Sequence, residues 1–227
     1  MTDPRPASLK GEIRIEEPDR VGRSIARRSA EVRATVPDLE LEAEVDAGAA
    51  VALARRLRIE LDAVLIAACA RALRATPRAN AAYRDGRYEL YSRVNVGAIV
   101  HTDDGQITPA ILDADTRSLS ELDAELRRLR ERARAGALTP PELAGTTFTL
   151  HSLGEAGPHR LVPLITPPQA AALAAGSVRP APVARGGAVV AGNLISLTLA
   201  CDHRILFGTR AAAFLQRIAK RVEEPEP

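Results

Sequence analysis

The sequence predicts a mixed α/β domain of the α+β kind, a mixed β-sheet flanked by helices. Three observations carry this. Helical and strand patterns interleave along 227 residues without the regular βαβ alternation of a parallel, doubly wound fold. Leu39, Leu41, Ala43 and Val45 alternate with Glu40, Glu42 and Glu44, the period of a strand with one wet face. From Ser118 onward, Leu119, Leu122, Leu126, Leu129 and Ala133 form one helical stripe. At this length folding hides roughly 70% of the surface the unfolded chain exposes, so a core forms without disulfide or metal.

Residues 1–18, rich in Pro, Asp and Glu, read as an extended arm, and residues 19–227 as the domain proper. Asp19 is placed to cap a helix running to about Thr35, with Val21, Ile25 and Val32 near one face. After the Leu39–Val45 strand, Asp46 and Asp62 each precede an Ala/Leu-rich helical stretch, and Pro77 stops the second. RYELYSRVNVGAIV, a turn at Asp103 to Gly105, and ITPAIL read as strands. The Leu-striped helix follows, then strands in TTFTLHSL, QAAALAAG, GAVVAG and LISLTLAC, and a closing helix from about Thr209 to Val222. Gly186-Gly187 and the Asp-Asp-Gly turn are hairpin turns rather than phosphate loops, because no helix follows them in the required pattern.

Composition narrows the function. Aromatic residues are 3% of the chain and Trp is absent, so Ala, Val, Leu and Ile must build the core. The net charge is +2, and Arg residues such as Arg127, Arg128, Arg130 and Arg132 are interleaved with Glu125 and Glu131. Mixed signs of this kind make a solvated helix face rather than a phosphate-tracking stripe, which argues against nucleic-acid binding. Cys69 and Cys201 sit in apolar runs with no partner at metal-ligand spacing and read as buried thiols in a reducing compartment. The four histidines lack H-x-x-H spacing, so no metal site is expected. No apolar leader follows MTDPRPASLK and no run of about 18 apolar residues occurs, so the expectation is a cytoplasmic protein away from membranes.

Four separated stretches resemble one family. VNVGAIVHTDDGQITPAILDADTRSLSEL (94–122), RARAGALTPPELAGTTFTLHSLGEAG (132–157), ITPPQAAALAAG, and LISLTLACDHRILFGTRAAAFL (194–215) are similar, in order and spacing, to the catalytic domain of the dihydrolipoyl acyltransferases of 2-oxo acid dehydrogenase complexes. RVGRSIARRSAEVRATVPDLELEAEVD (20–46) fits its opening helix and strand. The resemblance covers roughly residues 15–225 and implies a chloramphenicol acetyltransferase-like fold: a mixed sheet with helices on one side, in a trimer with active sites between subunits.

It also implies a chemistry. In this family the His of an H-x-x-x-D-G motif takes the proton from the thiol of coenzyme A or dihydrolipoamide as the sulfur attacks a thioester carbonyl. A thiol with an ordinary pKa near 8.5 is mostly protonated at neutral pH, and an imidazole can accept that proton. Here the segment is His203-Arg204-Ile205-Leu206-Phe207-Gly208, with Phe207 where the family has Asp. A cation that paired with that Asp needs another partner; Arg23 or Arg27 of the opening helix is the candidate. A family Ser that donates to the oxyanion corresponds to His151, with Ser152 beside it. An imidazole N–H can donate as a hydroxyl does. Ser152 could replace it only if the strand bulges, since strand neighbours point to opposite faces. His101 and His159 read as ordinary loop or strand residues.

The resemblance therefore implies an acyltransferase with catalytic His203, His151 and Ser152 and no tightly bound cofactor. Coenzyme A and dihydrolipoamide are its cosubstrates, and lipoyl-domain proteins or other 2-oxo acid dehydrogenase subunits its candidate partners. The departures at Phe207 and His151 keep open an alternative, an inactive structural or regulatory homotrimer associated with such a complex. A third reading is an acyltransferase with a small hydroxylated or aminated acceptor. With a short arm and no lipoyl-like hairpin around Lys10 or Lys220, either lipoyl domains come in on another polypeptide or the protein does something else, and the polar VEEPEP terminus gives the expectation of a free trimer.

Overall fold

The computed structural model describes residues 11, 14–102, 105–152, 154 and 157–227. Most of the arm expected over 1–18, and Asp103 and Asp104 of the expected turn, lie outside these residues, as does the side chain of Val21. In chain order the helices are α1 (Arg20–Thr35), α2 (Gly48–Leu57), α3 (Leu61–Arg74), α4 (Leu119–Arg134), α5 (Pro140–Ala144) and α6 (Gly208–Glu223). The strands are β1 (Asp38–Asp46), β2 (Ala81–Arg84), β3 (Arg87–Leu90), β4 (Val96–Ala98), β5 (Val100–Thr102), β6 (Gly105–Ile107), β7 (Ala110–Ile111), β8 (Phe148–Ser152), β9 (Ala171–Ala175), β10 (Arg179–Arg185) and β11 (Ala188–Asp202).

The main sheet runs β1-β11-β9-β8-β4-β7, with β10 also paired to β11. It is mixed: β8 lies parallel to β9 and β4, and the other pairs are antiparallel. Leu39, Leu41, Ala43 and Val45 of β1, Leu197, Leu199 and Cys201 of β11, Leu173 of β9, and Phe148 and Leu150 of β8 all join one core with α2, α3, α4 and α6. Phe148 meets Phe214 of α6 edge-to-face at 5.9 Å. Such a pair adds about 0.5–1.5 kcal/mol beyond burial in a chain with few aromatics.

The helix ends follow their local chemistry. Asp19 Oδ1 accepts from the Gly22 amide (2.6 Å) at the start of α1. Ser118 and Glu121 close a reciprocal capping box on α4, and the Leu stripe of that helix is fully buried.

Several elements differ from the sequence reading. The helices are not all on one side: Val32 of α1, with Val36 and Ile165, packs on Ala200, on the sheet face opposite the main core, while Ile25 stays 43% exposed. RYELYSRVNVGAIV is three short strands in three different sheets, and Asn95 fixes the entry to β4 by donating to the Gly145 carbonyl (2.7 Å) and accepting from the Asp113 amide (2.9 Å). GAVVAG and LISLTLAC are one continuous strand, β11. Its Gly192 lets Val183 of β10 lie against the backbone, where a Cβ would come within 2.4 Å. β10 was hidden by Pro180 and Pro182, which share one parity on an edge strand and so take only outward-facing amide positions. Asp62 lies inside the first turn of α3 instead of preceding it, with Glu60 at the cap.

The face opposite the main core is crossed by residues 157–169. Ser177 donates its amide to the Pro158 carbonyl (3.0 Å), His159 Nδ1 meets Ser177 Oγ at 2.8 Å, and Arg160 pairs with Glu42 of β1. Gly176 makes this approach possible, since a Cβ there would lie 1.8 Å from the His159 carbonyl oxygen. Gly176→Ala should therefore lower the unfolding free energy by about 1–3 kcal/mol, as overpacking does, in urea unfolding followed by circular dichroism; an unchanged midpoint would contradict the close approach.

Candidate active site

His203 follows the last residue of β11 in a tight turn. The amides of Ile205 and Leu206 both donate to the Asp202 carbonyl at 2.9 Å, and the His203 amide donates to the Pro37 carbonyl at 2.8 Å. The imidazole is exposed and touches Phe207 edge-to-face at 6.4 Å between centroids. Arg210 lies over the Phe207 ring at 5.3 Å. Asp202 is buried, with both carboxylate oxygens taken by the Arg204 guanidinium (2.9 and 2.7 Å). Arg23, one of the two candidate cations, donates instead to the Pro18 carbonyl (2.6 Å).

The second group sits at the end of β8. The β8, β9 and β11 registers place His151, Ala174 and Thr198 in one row on the face opposite the core. His151 is half-buried; its Nε2 and the Thr198 hydroxyl are both buried without a hydrogen-bond partner among the described residues. Burial pushes the His151 pKa down to about 4, so the ring is neutral near pH 7. A neutral imidazole keeps one N–H donor.

Ser152 is on the other face. Its hydroxyl donates to Asp62 Oδ1 (2.7 Å), while Asp62 Oδ2 accepts from Arg130 Nη2 (2.6 Å). Ser152 and Asp62 edge a cleft of about 580 Å³ with Ile59, Leu65, Val178 and Ile195. The strand does not bulge, so His151 and Ser152 do not converge.

Nor do His151 and His203 meet within one chain. From the row of His151, two strand spacings of about 4.8 Å across and five residues at about 3.3 Å along β11 give a separation of roughly 15–20 Å. The other histidines stand apart: His101 is exposed on β5, and His159 is tied to Ser177.

The cysteines are free and buried, with both thiols pushed up to about 12 by burial, so neither offers a thiolate. No group of three or more His, Cys, Asp or Glu among the described residues is arranged to hold a metal ion, and none of their helices is long and apolar enough to cross a membrane. Sequence reasoning missed Tyr83, Tyr88 and Arg204 beside His203. The Asp85-Gly86 pair was the available signal, a two-residue hairpin turn with φ of 49° and 75°.

Sheet order, the row of His151 and Thr198 on its second face and a histidine at the end of β11 fit a chloramphenicol acetyltransferase-like architecture. A chloramphenicol acetyltransferase superposes at a TM-score of 0.55 with 16% identity over 87% of this chain and 92% of its own. The family model for the 2-oxoacid dehydrogenases acyltransferase (catalytic domain) matches residues 11–227, and the chain belongs to that family.

The dihydrolipoyllysine-residue acetyltransferase component of the pyruvate dehydrogenase complex of Zymomonas mobilis is 34% identical over 212 residues, 89% of this chain and 48% of that protein. The chain thus spans about half the length of this curated relative. The solved dihydrolipoamide acetyltransferase of Azotobacter vinelandii, studied for a serine, a histidine and an asparagine in its catalytic mechanism, has a TM-score of 0.87 and 26% identity over 99% of this chain and 98% of its own. The cubic core of a pyruvate dehydrogenase multienzyme complex matches at 0.87 and 27% identity over the same shares.

The low pKa of His151 has a sign. Between its unfolded value near 6.5 and its folded value of about 4, the unfolded chain binds more protons, so stability falls as pH drops through that window. The loss is on the order of 3 kcal/mol at most. His151→Asn should flatten this part of the pH–stability curve in urea titrations between pH 7 and 4.5, and identical slopes would show that the ring titrates normally.

Proposed function

We propose that this chain is an acyltransferase that moves an acyl group between coenzyme A and a thiol such as dihydrolipoamide, with His203 as general base and His151 as oxyanion donor. The spacing of three positions carries the reading. The serine and asparagine named with the histidine of the Azotobacter enzyme stand at the same offsets from it as His151 and Phe207 stand from His203.

The chemistry fits the groups. The exposed imidazole of His203 takes the proton of the attacking thiol as its sulfur bonds to the thioester carbon. The carbonyl oxygen becomes an oxyanion and accepts from the N–H of neutral His151. Collapse restores the carbonyl and expels the second sulfur, which takes the proton back from the imidazolium. Ser152, already donating to Asp62 on the other face, supports His151 as the donor in preference to itself.

The separation of His203 from His151 in one chain supports a homotrimer whose sites form between protomers. Lipoyl-domain proteins or other 2-oxo acid dehydrogenase subunits are the partners that would deliver the acyl group. Phe207, unable to accept a hydrogen bond, favours one second reading, a non-catalytic trimer of the same shape within such a complex.

Thioester exchange between acyl-CoA and dihydrolipoamide decides. His203→Ala should lose at least about 10²-fold and His151→Ala about 10²–10³-fold. Mixing the two variants and reassembling them should restore up to about a quarter of wild-type turnover, because one neighbour pairing in four joins intact His203 to intact His151. A mixture no better than its components overturns the shared site, and an inactive wild type leaves the non-catalytic reading.

A further inference from the structure

The His203 ring is exposed and meets Phe207 edge-to-face, so its aim depends on the backbone that carries it. That backbone is gripped from both sides. Before it, the His203 amide is bonded to Pro37, a contact of the strand entry. After it, the Arg204 carbonyl accepts from the hydroxyl of Tyr88 at 3.0 Å. Tyr88 belongs to the β2–β3 hairpin, which lies outside the main sheet.

The hairpin is built to be stiff. Tyr83 and Tyr88 are direct cross-strand partners with ring centroids 5.9 Å apart. Asp85 and Gly86 adopt the two left-handed conformations that match the strand twist. The base is tied by Asn80, buried and donating to the carbonyls of Tyr91 (3.0 Å) and Arg93 (2.8 Å). Arg78 lies over the Tyr88 ring at 4.0 Å, and Arg204, while holding Asp202, lies over the Tyr83 ring at 4.7 Å. Two of the three tyrosines in the chain thus converge on the residue after His203.

We infer that the β2–β3 hairpin is the positioning device of His203, with Tyr88 as the positioning residue that acts through the Arg204 carbonyl. This rests on His203 being the base proposed above. Tyr88 is 42% exposed, so its hydroxyl adds little to global stability; its effect is to narrow the orientations of the turn.

Tyr88→Phe removes the hydroxyl and keeps both rings and Arg78 stacked. The His203 ring C–H resonances, assigned among the four histidines by their loss in His203→Gln, should shift or broaden in Tyr88→Phe at unchanged melting temperature. Turnover in thioester exchange should fall about threefold to tenfold with KM for acyl-CoA and for dihydrolipoamide unchanged, the size of one hydrogen bond. His203 resonances coinciding with wild type overturn the inference, and so does a change confined to KM. If the wild-type chain proves inactive, the acyltransferase reading fails by itself, and the resonance comparison still decides the role of the hairpin.

Discussion

Strand parity is the constraint on which the rest of the structure depends. Side chains alternate across a sheet with a period of two, so the core that fixes Phe148 and Leu150 toward the helices fixes Ser152 toward them as well. It sends Thr149 and His151 to the opposite face. Thr149 is satisfied there by Gln169 at 2.8 Å, but His151 Nε2 has no partner among the described residues. A slip of one residue would expose Leu150 and bury its neighbours on the wrong side. The packing of Leu173, Leu199 and Leu41 in the same row makes such a slip costly.

That constraint separates two kinds of polarity at the end of β8. On the helix side, Ser152, Asp62, Arg130 and Glu60 form a closed chain of hydrogen bonds and ion pairs. Charged groups there are mutually satisfied, and breaking one member would leave the others uncompensated. On the other side, His151 Nε2 and the Thr198 hydroxyl are buried without hydrogen-bond partners among the described residues, a state that costs about 1–3 kcal/mol per group unless something else fills it. Stable proteins keep few such groups, and each one calls for a specific physical explanation.

The fold was legible wherever local chemistry and periodicity agreed. Asp19, the Ser118 capping box and the Leu stripe of α4 all fall where the sequence pattern puts them. β1 reads correctly because its wet face carries Glu at every second position. β10 did not, because Pro180 and Pro182 mask an edge strand whose register alone excuses them. β2 did not because AAYR is short, and the Asp85-Gly86 signal beside it went unread. The face occupied by α1 is a tertiary fact, set by Val32 and Val36 meeting Ala200, and nothing in the helix's own pattern names its partner. For the site, residue identity was legible but coupling was not. Arg204, Tyr83 and Tyr88 come together only through long-range contacts, and no short motif encodes them.

For the proposed acyl transfer, Phe207 removes one of the two services a carboxylate at that position would give. A carboxylate at that position would hold a cation and balance an imidazolium. The ring does the first in part: Arg210 stacks on it at 5.3 Å, an exposed cation–π contact of about 0.5–1 kcal/mol. It cannot do the second, and Asp202, the acid next in sequence, is already saturated by Arg204. The demand on a counter-charge depends on how long the imidazolium persists. In thiol–thioester exchange the attacking and departing groups are both thiols of similar acidity near pKa 8.5, so the expelled sulfur can reclaim the proton as soon as it leaves. The positive charge is transient and neighbours a developing negative one throughout. For the proposed acyl transfer, Phe207 therefore removes a counter-charge that the chemistry would use only briefly, while its ring still holds Arg210.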